Sequence, residues 1–250
     1  MKVSRTFCYT LLIAAGCLIP ARAYAMHISE GILPMNWAAL WSIIALPFVA
    51  WGLYDLKRRS SSDISFKPLV GLMAAVVFII SCMPVPVPVA GTCSHPCGTG
   101  CAAILLGPPL SILVATVALL IQALFLAHGG LSTLGANVVS MGIMGSLTGY
   151  ACFKALKLLR INIIVAGFVA GVLADWATYL TTSFELASGI RGSSALTPLL
   201  LKIALAFVPT QLPLGMLEGA ITAGMVGLLY KKRPDLLVRM RVLRAEEVDP

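Results

Sequence analysis

The 250-residue chain contains three histidines, His27, His95 and His128, and the first directly follows Met26 behind the stretch Ala23-Tyr24-Ala25. Small residues at Ala23 and Ala25 suit the −3 and −1 positions of a signal-peptide cleavage site. Cutting after Ala25 would create a chain beginning Met-His. Its α-amine, the amide nitrogen of His27 and the His27 imidazole could then grip one ion through a five-membered and a six-membered chelate ring, with His95 as the fourth nitrogen. A plane of nitrogens suits low-spin Co(II), Ni(II) or Cu(II), whereas Zn(II) prefers a tetrahedron. Binding must displace protons from the amine and the amide, so affinity should fall on acidification.

Other residues could modify that site. His128 lies in Ala127-His128-Gly129-Gly130-Leu131, and Asn137 follows shortly after. His128 is a candidate on the substrate path, and Asn137 could orient a ligand histidine or serve simply as a helix-start cap. Cys93, Cys97 and Cys101 recur every four residues around His95. Cys93 and Cys97 are candidate soft ligands, although the spacing is neither a C-x-x-C zinc pattern nor a thioredoxin motif. Two of the three could pair as a disulfide on an oxidising face. Gln122, Asn137, Asp175, Gln211 and Glu218 are isolated polar residues in apolar surroundings and need partners there. No catalytic residue is assigned, and no G-x-x-x-x-G-K-[ST] run for binding ATP occurs.

These residues must be positioned by a membrane scaffold. The chain is 59% hydrophobic and 11% charged, with mean hydropathy +0.94. A soluble domain carries about twice that charged fraction. Residues 1–25 read as a cleaved signal peptide, with Lys2 and Arg5 before an apolar run from Phe7 to Ile19 that is short for a full crossing. The rival reading is an imperfect lipobox ending at Cys17, which lacks the usual Leu or Val at Ala14. The net charge of +8 loses Lys2, Arg5 and Arg22 with the leader, leaving +5. That remainder clusters in short inter-helix segments, which speaks for positive-inside topology and against nucleic-acid binding.

Residues 26–233 read as one polytopic membrane domain and 234–250 as a cytoplasmic tail. The apolar segments are approximately 36–56, 67–83, 98–127, 133–155, 162–184 and 204–230. Gly107-Pro108-Pro109 interrupts the third, since proline cannot continue a helix interior. Splitting it there gives an all-α protein of about seven crossings, one of them short. It also brings Lys57-Arg58-Arg59, Lys154, Lys157, Arg160 and Lys231-Lys232-Arg233 to the cytoplasmic side and all three histidines to the outer one. Pro84-Val85-Pro86-Val87-Pro88 should be an extended strut. Interrupted apolar segments in a bundle point to a transported substrate's site.

Four stretches together resemble the CbiM/NikM family, the substrate-binding S components of energy-coupling-factor (ECF) transporters for cobalt and nickel. They are Met26-His27-Ile28-Ser29-Glu30-Gly31-Ile32-Leu33-Pro34, Gly91-Thr92-Cys93-Ser94-His95-Pro96-Cys97-Gly98-Thr99-Gly100, Gln122 to Asn137, and Thr210-Gln211-Leu212-Pro213. The resemblance implies an S-component fold with an extra N-terminal helix whose N-terminus plugs into the bundle. It implies metal ligation by Met26, His27 and His95, with Co(II) or Ni(II) as transported substrate and no prosthetic group. It also implies partners: a transmembrane T component of the CbiQ type, ATPase subunits of the CbiO type and often a small auxiliary subunit of the CbiN type. The expected role is Co(II) capture at the outer face of a bacterial or archaeal cytoplasmic membrane, feeding cobalamin synthesis. The mature N-terminus would be outside and the C-terminus inside. Nickel uptake is the close alternative, and a membrane metalloenzyme or metal sensor the more distant one. Cysteines at 93 and 97, where the family usually has Gly-Ser-Ser-His-Pro-Thr-Gly, bear on metal preference.

Overall fold

The computed structural model describes residues 24–25, 27–63, 65–83, 85–87, 92–244 and 246. The leader segment 1–23 and Met26 lie outside the described residues, so the cleavage reading and the Met26 amine fall there too. Eight helices make up most of what is described: α1 (Met35–Ser62), α2 (Phe66–Ser81), α3 (Thr99–Leu106), α4 (Pro108–Phe125), α5, α6 (Ile163–Ile190), α7 (Leu196–Lys232) and α8 (Pro234–Arg239). Helix α5 is composite, with an α-helical turn Leu134–Asn137, a π-helical stretch Val138–Gly145 and an α-helical end Ser146–Leu158. Four helices, α1, α4, α6 and α7, are long and apolar enough to cross a membrane by length and composition alone.

The break at Gly107-Pro108-Pro109 is present and has a physical cause. Gly107 has φ +87°, a conformation that costs glycine little, and Pro108 and Pro109 then open α4, where no intrahelical donor is needed. Arg59, at the end of α1, donates from Nη1 to the Leu106 carbonyl at 3.0 Å and so caps α3 at the break. The ends of α1 and α3 therefore lie together, as the split demanded.

The basic residues gather at that same end. Arg239 of α8 pairs with Asp63 beyond α1, and Arg241 and Arg244 share a surface pocket with Lys154, Lys157 and Arg160. The segment read as a tail is thus folded onto the bundle at least through Leu243, with Leu237, Met240, Val242 and Leu243 buried.

Residues 85–87 of the proline-rich strut are extended and take part in a small sheet, an addition to the all-α expectation. Strand β3 (Thr92–Ser94) pairs antiparallel with β2 (Val85–Val87) and parallel with β1 (Tyr24–Ala25), giving the order β1-β3-β2.

Small residues, among them Ala166-Gly167 and Ala170-Gly171 on α6, let the helices approach closely. A Cβ on Gly171 would stand 2.9 Å from both the Glu218 carbonyl oxygen and the Gly219 Cα, and one on Gly100 would stand 2.8 Å from the Ala174 Cβ. That proximity brings Asp175 on α6 beside Glu218 on α7.

Candidate metal centre

The three imidazoles converge from three separate loops. Ring centroids of His27 and His95 are 4.8 Å apart, His27 and His128 4.9 Å, and His95 and His128 5.0 Å. His27 and His95 are buried, while His128 is half-buried. A nearly equilateral triangle of rings meets the first requirement of a nitrogen-ligated ion, and the three side chains form one of two groups among the described residues with metal-holding geometry.

The His27 and His95 imidazoles are each aimed by a partner that selects the tautomer. His27 Nε2–H donates to Gln122 Oε1 at 3.0 Å, and the Gln122 amide donates in turn to Ser81 Oγ at 2.7 Å, which fixes its oxygen toward the ring. The lone pair of His27 is thereby on Nδ1, the nitrogen that closes a six-membered ring with the residue's own amide. His95 Nδ1–H donates to the Pro96 carbonyl at 3.0 Å, leaving the lone pair on Nε2. That Nε2 lies 3.0 Å from His128 Nε2. Two nitrogens bound cis at right angles, each about 2.0–2.1 Å from an ion, are roughly 2.9 Å apart, so the pair is already spaced for coordination. Fixing a ligand histidine through its second nitrogen also raises ligand affinity.

Burial keeps these rings neutral. It lowers the His27 pKa well below the ordinary value, with the neighbouring His95 and His128 adding to the effect. His95 is pushed from 6.5 down to about 3, by burial first and His128 second, and His128 is lowered by burial as well. Neutral imidazole is the metal-ligating form, so the site is ready near neutral pH.

The segment after His27 is held by its backbone. Ile28 N–H donates to Asn137 Oδ1 at 2.9 Å, while the Ile28 carbonyl accepts from Asn137 Nδ2 at 3.2 Å and Thr133 Oγ1 at 2.5 Å. Asn137 therefore clamps the peptide next to His27, whereas the sequence left it either to orient a ligand histidine or to cap a helix start. Gly129 and Gly130 make room for the clamp. A Cβ on Gly130 would stand 2.6 Å from the Glu30 nitrogen, and Gly129, at φ +80°, abuts the His27 Cβ. Glu30 in turn accepts from Ser132 N–H at 3.1 Å.

The His95 loop is gripped just as firmly. Gln211 Nε2 donates to Ser94 Oγ at 2.8 Å, Tyr179 OH donates to the His95 carbonyl at 3.5 Å, and Glu218 accepts the Cys97 and Gly98 N–H groups. All five isolated polar residues singled out in the sequence thus contact the two ligand-bearing segments. Gln122 reaches His27, Asn137 reaches Ile28, Gln211 reaches Ser94, Glu218 reaches Cys97 and Gly98, and Asp175 lies against the Cys97 thiol.

The cysteines sort differently from the histidines. Cys97 and Cys101 are buried free thiols, and Cys97 belongs with Asp175 and Glu218 in the second metal-holding group, apart from the histidine triangle. The backbone of Cys93 lies in β3, but its side chain is outside the described residues. Gln122 is the functional residue whose role sequence reasoning missed. Its only signal was a lone amide in an apolar helix.

Residues 27–236 match the family described as "Cobalt uptake substrate-specific transmembrane region", CbiM. Among curated relatives, the "Cobalt transport protein CbiM" of Geobacter sulfurreducens is 66% identical over 93% of this chain and 67% of its own length. That of Sorangium cellulosum is 60% identical over 88% of this chain and 97% of its own. A crystal structure of a transition metal transporter superposes with a TM-score of 0.72 at 26% identity, covering 86% of this chain and 100% of that one. The chain belongs to the CbiM family of transmembrane proteins.

Proposed function

We propose that this chain is the substrate-specific S component of an ATP-driven ECF transporter, capturing Co(II) at the outer face for cobalamin synthesis. The supporting observation is the convergence of His27, His95 and His128, with tautomers that leave a lone pair on His27 Nδ1 and on His95 Nε2. In this reading signal-peptide cleavage after Ala25 releases the Met26 amine. That amine, the His27 amide nitrogen, His27 Nδ1 and His95 Nε2 form the plane around the ion. His128, half-buried and already beside His95 Nε2, is the first imidazole met by an entering ion.

The choice of cobalt follows the family description and the names of the relatives. The nitrogen plane itself would accept Ni(II), so a Co(II)–Ni(II) competition in cellular uptake decides between them. Uphill uptake would need the T component, the two ATPase subunits and the auxiliary subunit that the family resemblance implies. The basic end of the bundle would face the cytoplasm, in keeping with the positive-inside rule.

The test is N-terminal sequencing of the purified protein with metal-affinity measurement, repeated with one Ala inserted between Ala25 and Met26. The native protein should begin Met-His, and the insertion should weaken Co(II) binding by more than about a hundredfold, beyond the effect of losing an outer-shell partner. Equal affinity in both would refute the chelate. His95→Ala should weaken binding without loss of expression.

A further inference from the structure

A second buried cluster lies inward of the histidines. Cys97 Sγ, an Asp175 carboxylate oxygen and a Glu218 carboxylate oxygen all fall within 4.8 Å of one another, and none of the three residues is more than 1% exposed. Asp175 sits 12 residues, or about 18 Å, along α6 from Ile163, near the middle of a crossing. Two carboxyl groups side by side at that depth are unusual without a neutralising partner. The ion pairs among the described residues lie elsewhere, on Asp55, Asp63 and Asp235.

Glu218 is oriented by the Cys97 and Gly98 N–H groups, while Asp175 is not satisfied. Its Oδ1 has only the Cys97 thiol at 3.9 Å, and its Oδ2, fully buried, has no hydrogen-bond partner. A buried polar atom without a partner costs about 1–3 kcal/mol, and such an atom in a native fold asks for an explanation.

We propose that Cys97, Asp175 and Glu218 form a second cation site, which takes a divalent transition ion content with one sulfur and two oxygens in a tetrahedron. Co(II) and Zn(II) fit that description, with the fourth position open. The thiolate and one carboxylate balance the two charges, and the second carboxyl group contributes a neutral oxygen. Binding releases the thiol proton to solvent, with no redox change. Ligand atoms around a tetrahedral ion are about 3.5 Å apart, so the side chains need close by only about 1 Å. The site differs from the histidine triangle in every donor, yet His95 and Cys97 are two residues apart on one loop. Its place as an inner station on an uptake route rests on the proposed transport function. Its existence as a cation site does not.

The experiment is equilibrium dialysis of the purified full chain, as processed in the membrane, against Co(II), followed by metal counting and near-ultraviolet absorption. The expected result is two ions per chain and a sulfur-to-cobalt charge-transfer band. Cys97→Ser, which is nearly isosteric, should abolish the band and lower the count by one. Asp175→Asn should lower the count by one. A His27→Ala/His95→Ala double variant should lose the other ion and keep the band, so failure of the histidine site is read separately. The proposal is overturned if the native chain shows no such band, or if the band survives Cys97→Ser. It is equally overturned if the double variant retains no ion.

Discussion

The histidine triangle and the Cys97–Asp175–Glu218 cluster are both buried, yet they are built on opposite plans. The triangle takes its donors from three loops, and each of His27 and His95 has a polar neighbour that occupies its second nitrogen. The cluster takes two of its three donors from long helices, and one of its oxygens has no partner at all. The loops are held by side-chain hydrogen bonds to Ile28 and Ser94, whereas α6 and α7 are held by close packing at Gly171 and Gly219. Donor type differs in the same sense: neutral nitrogen at the mouth, sulfur and oxygen inside. In the proposed reading, the mouth selects an ion by geometry and the interior neutralises one by charge.

The connecting segment, Ser94 to Gly98, offers the sharpest way to break this division. Glu218→Ala removes the acceptor of two buried N–H groups, and leaving each without a partner costs about 1–3 kcal/mol. A loss of about 3–5 kcal/mol in unfolding stability is expected in denaturation of the detergent-solubilised protein. Because His95 sits on the freed loop, Co(II) affinity at the triangle should fall as well. Unchanged affinity would mean that the two clusters are independent.

Gln122→Ala acts on the triangle alone. It leaves His27 Nε2 unpartnered and its tautomer unset, so Co(II) binding measured by titration should weaken about 10–100-fold, with little effect on stability at the cluster. Gln122→Glu, which keeps the acceptor, should recover most of the loss.

Acidification gives the smallest effect and a defined sign. The folded His95 pKa, about 3, lies below the ordinary 6.5. The unfolded chain therefore takes up the proton first, and stability of the metal-free protein falls as pH drops from 6.5 toward 3. At one unit below the ordinary value His95 alone accounts for about 1.4 kcal/mol. A melting temperature flat between pH 7.5 and about 5.5 would show that the triangle is open to water.

Much of this arrangement is legible in the sequence, for identifiable reasons. Pro108 and Pro109 announce the helix break because a ring without an N–H cannot continue a helix. The basic residues fix the relative direction of the helices, and that alone brings three distant histidines to one end. The partner choices are less visible. Gln122 reaches His27 only because α4 presents that face beside Ser81, and helix rotation is not written in the residue types along one strongly apolar stretch. Asn137, a candidate either to orient an imidazole or to cap a helix start, holds a peptide group. An amide can satisfy any of these, and the two nearby glycines, which abut His27 and Glu30, give no sign of which. Cys97 shares a motif with His95 but not a direction, since Gly98 at φ +73° turns the chain into α3 immediately after it. The fold of the last segment follows from Leu237, Val242 and Leu243, whose apolar side chains lie among charges that dominate a composition-based reading.

The π-helical stretch in α5 has a bearing on Asn137 that is best put as a matter of phase. Such a stretch holds the equivalent of one residue more than an α-helix of the same rise, and each residue advances an α-helix by about 100°. Val138–Gly145 therefore works as an angular offset between the two ends of α5. Its C-terminal side keeps Gly149 against Gly100 and Ala174, while its N-terminal side keeps Asn137 facing Ile28. Deleting one residue within the stretch would restore a single helical phase and turn one end by roughly a quarter of a revolution. The bundle contact and the Ile28 clamp could not then both be kept, so the grip on the segment that carries His27 depends on one surplus residue within α5.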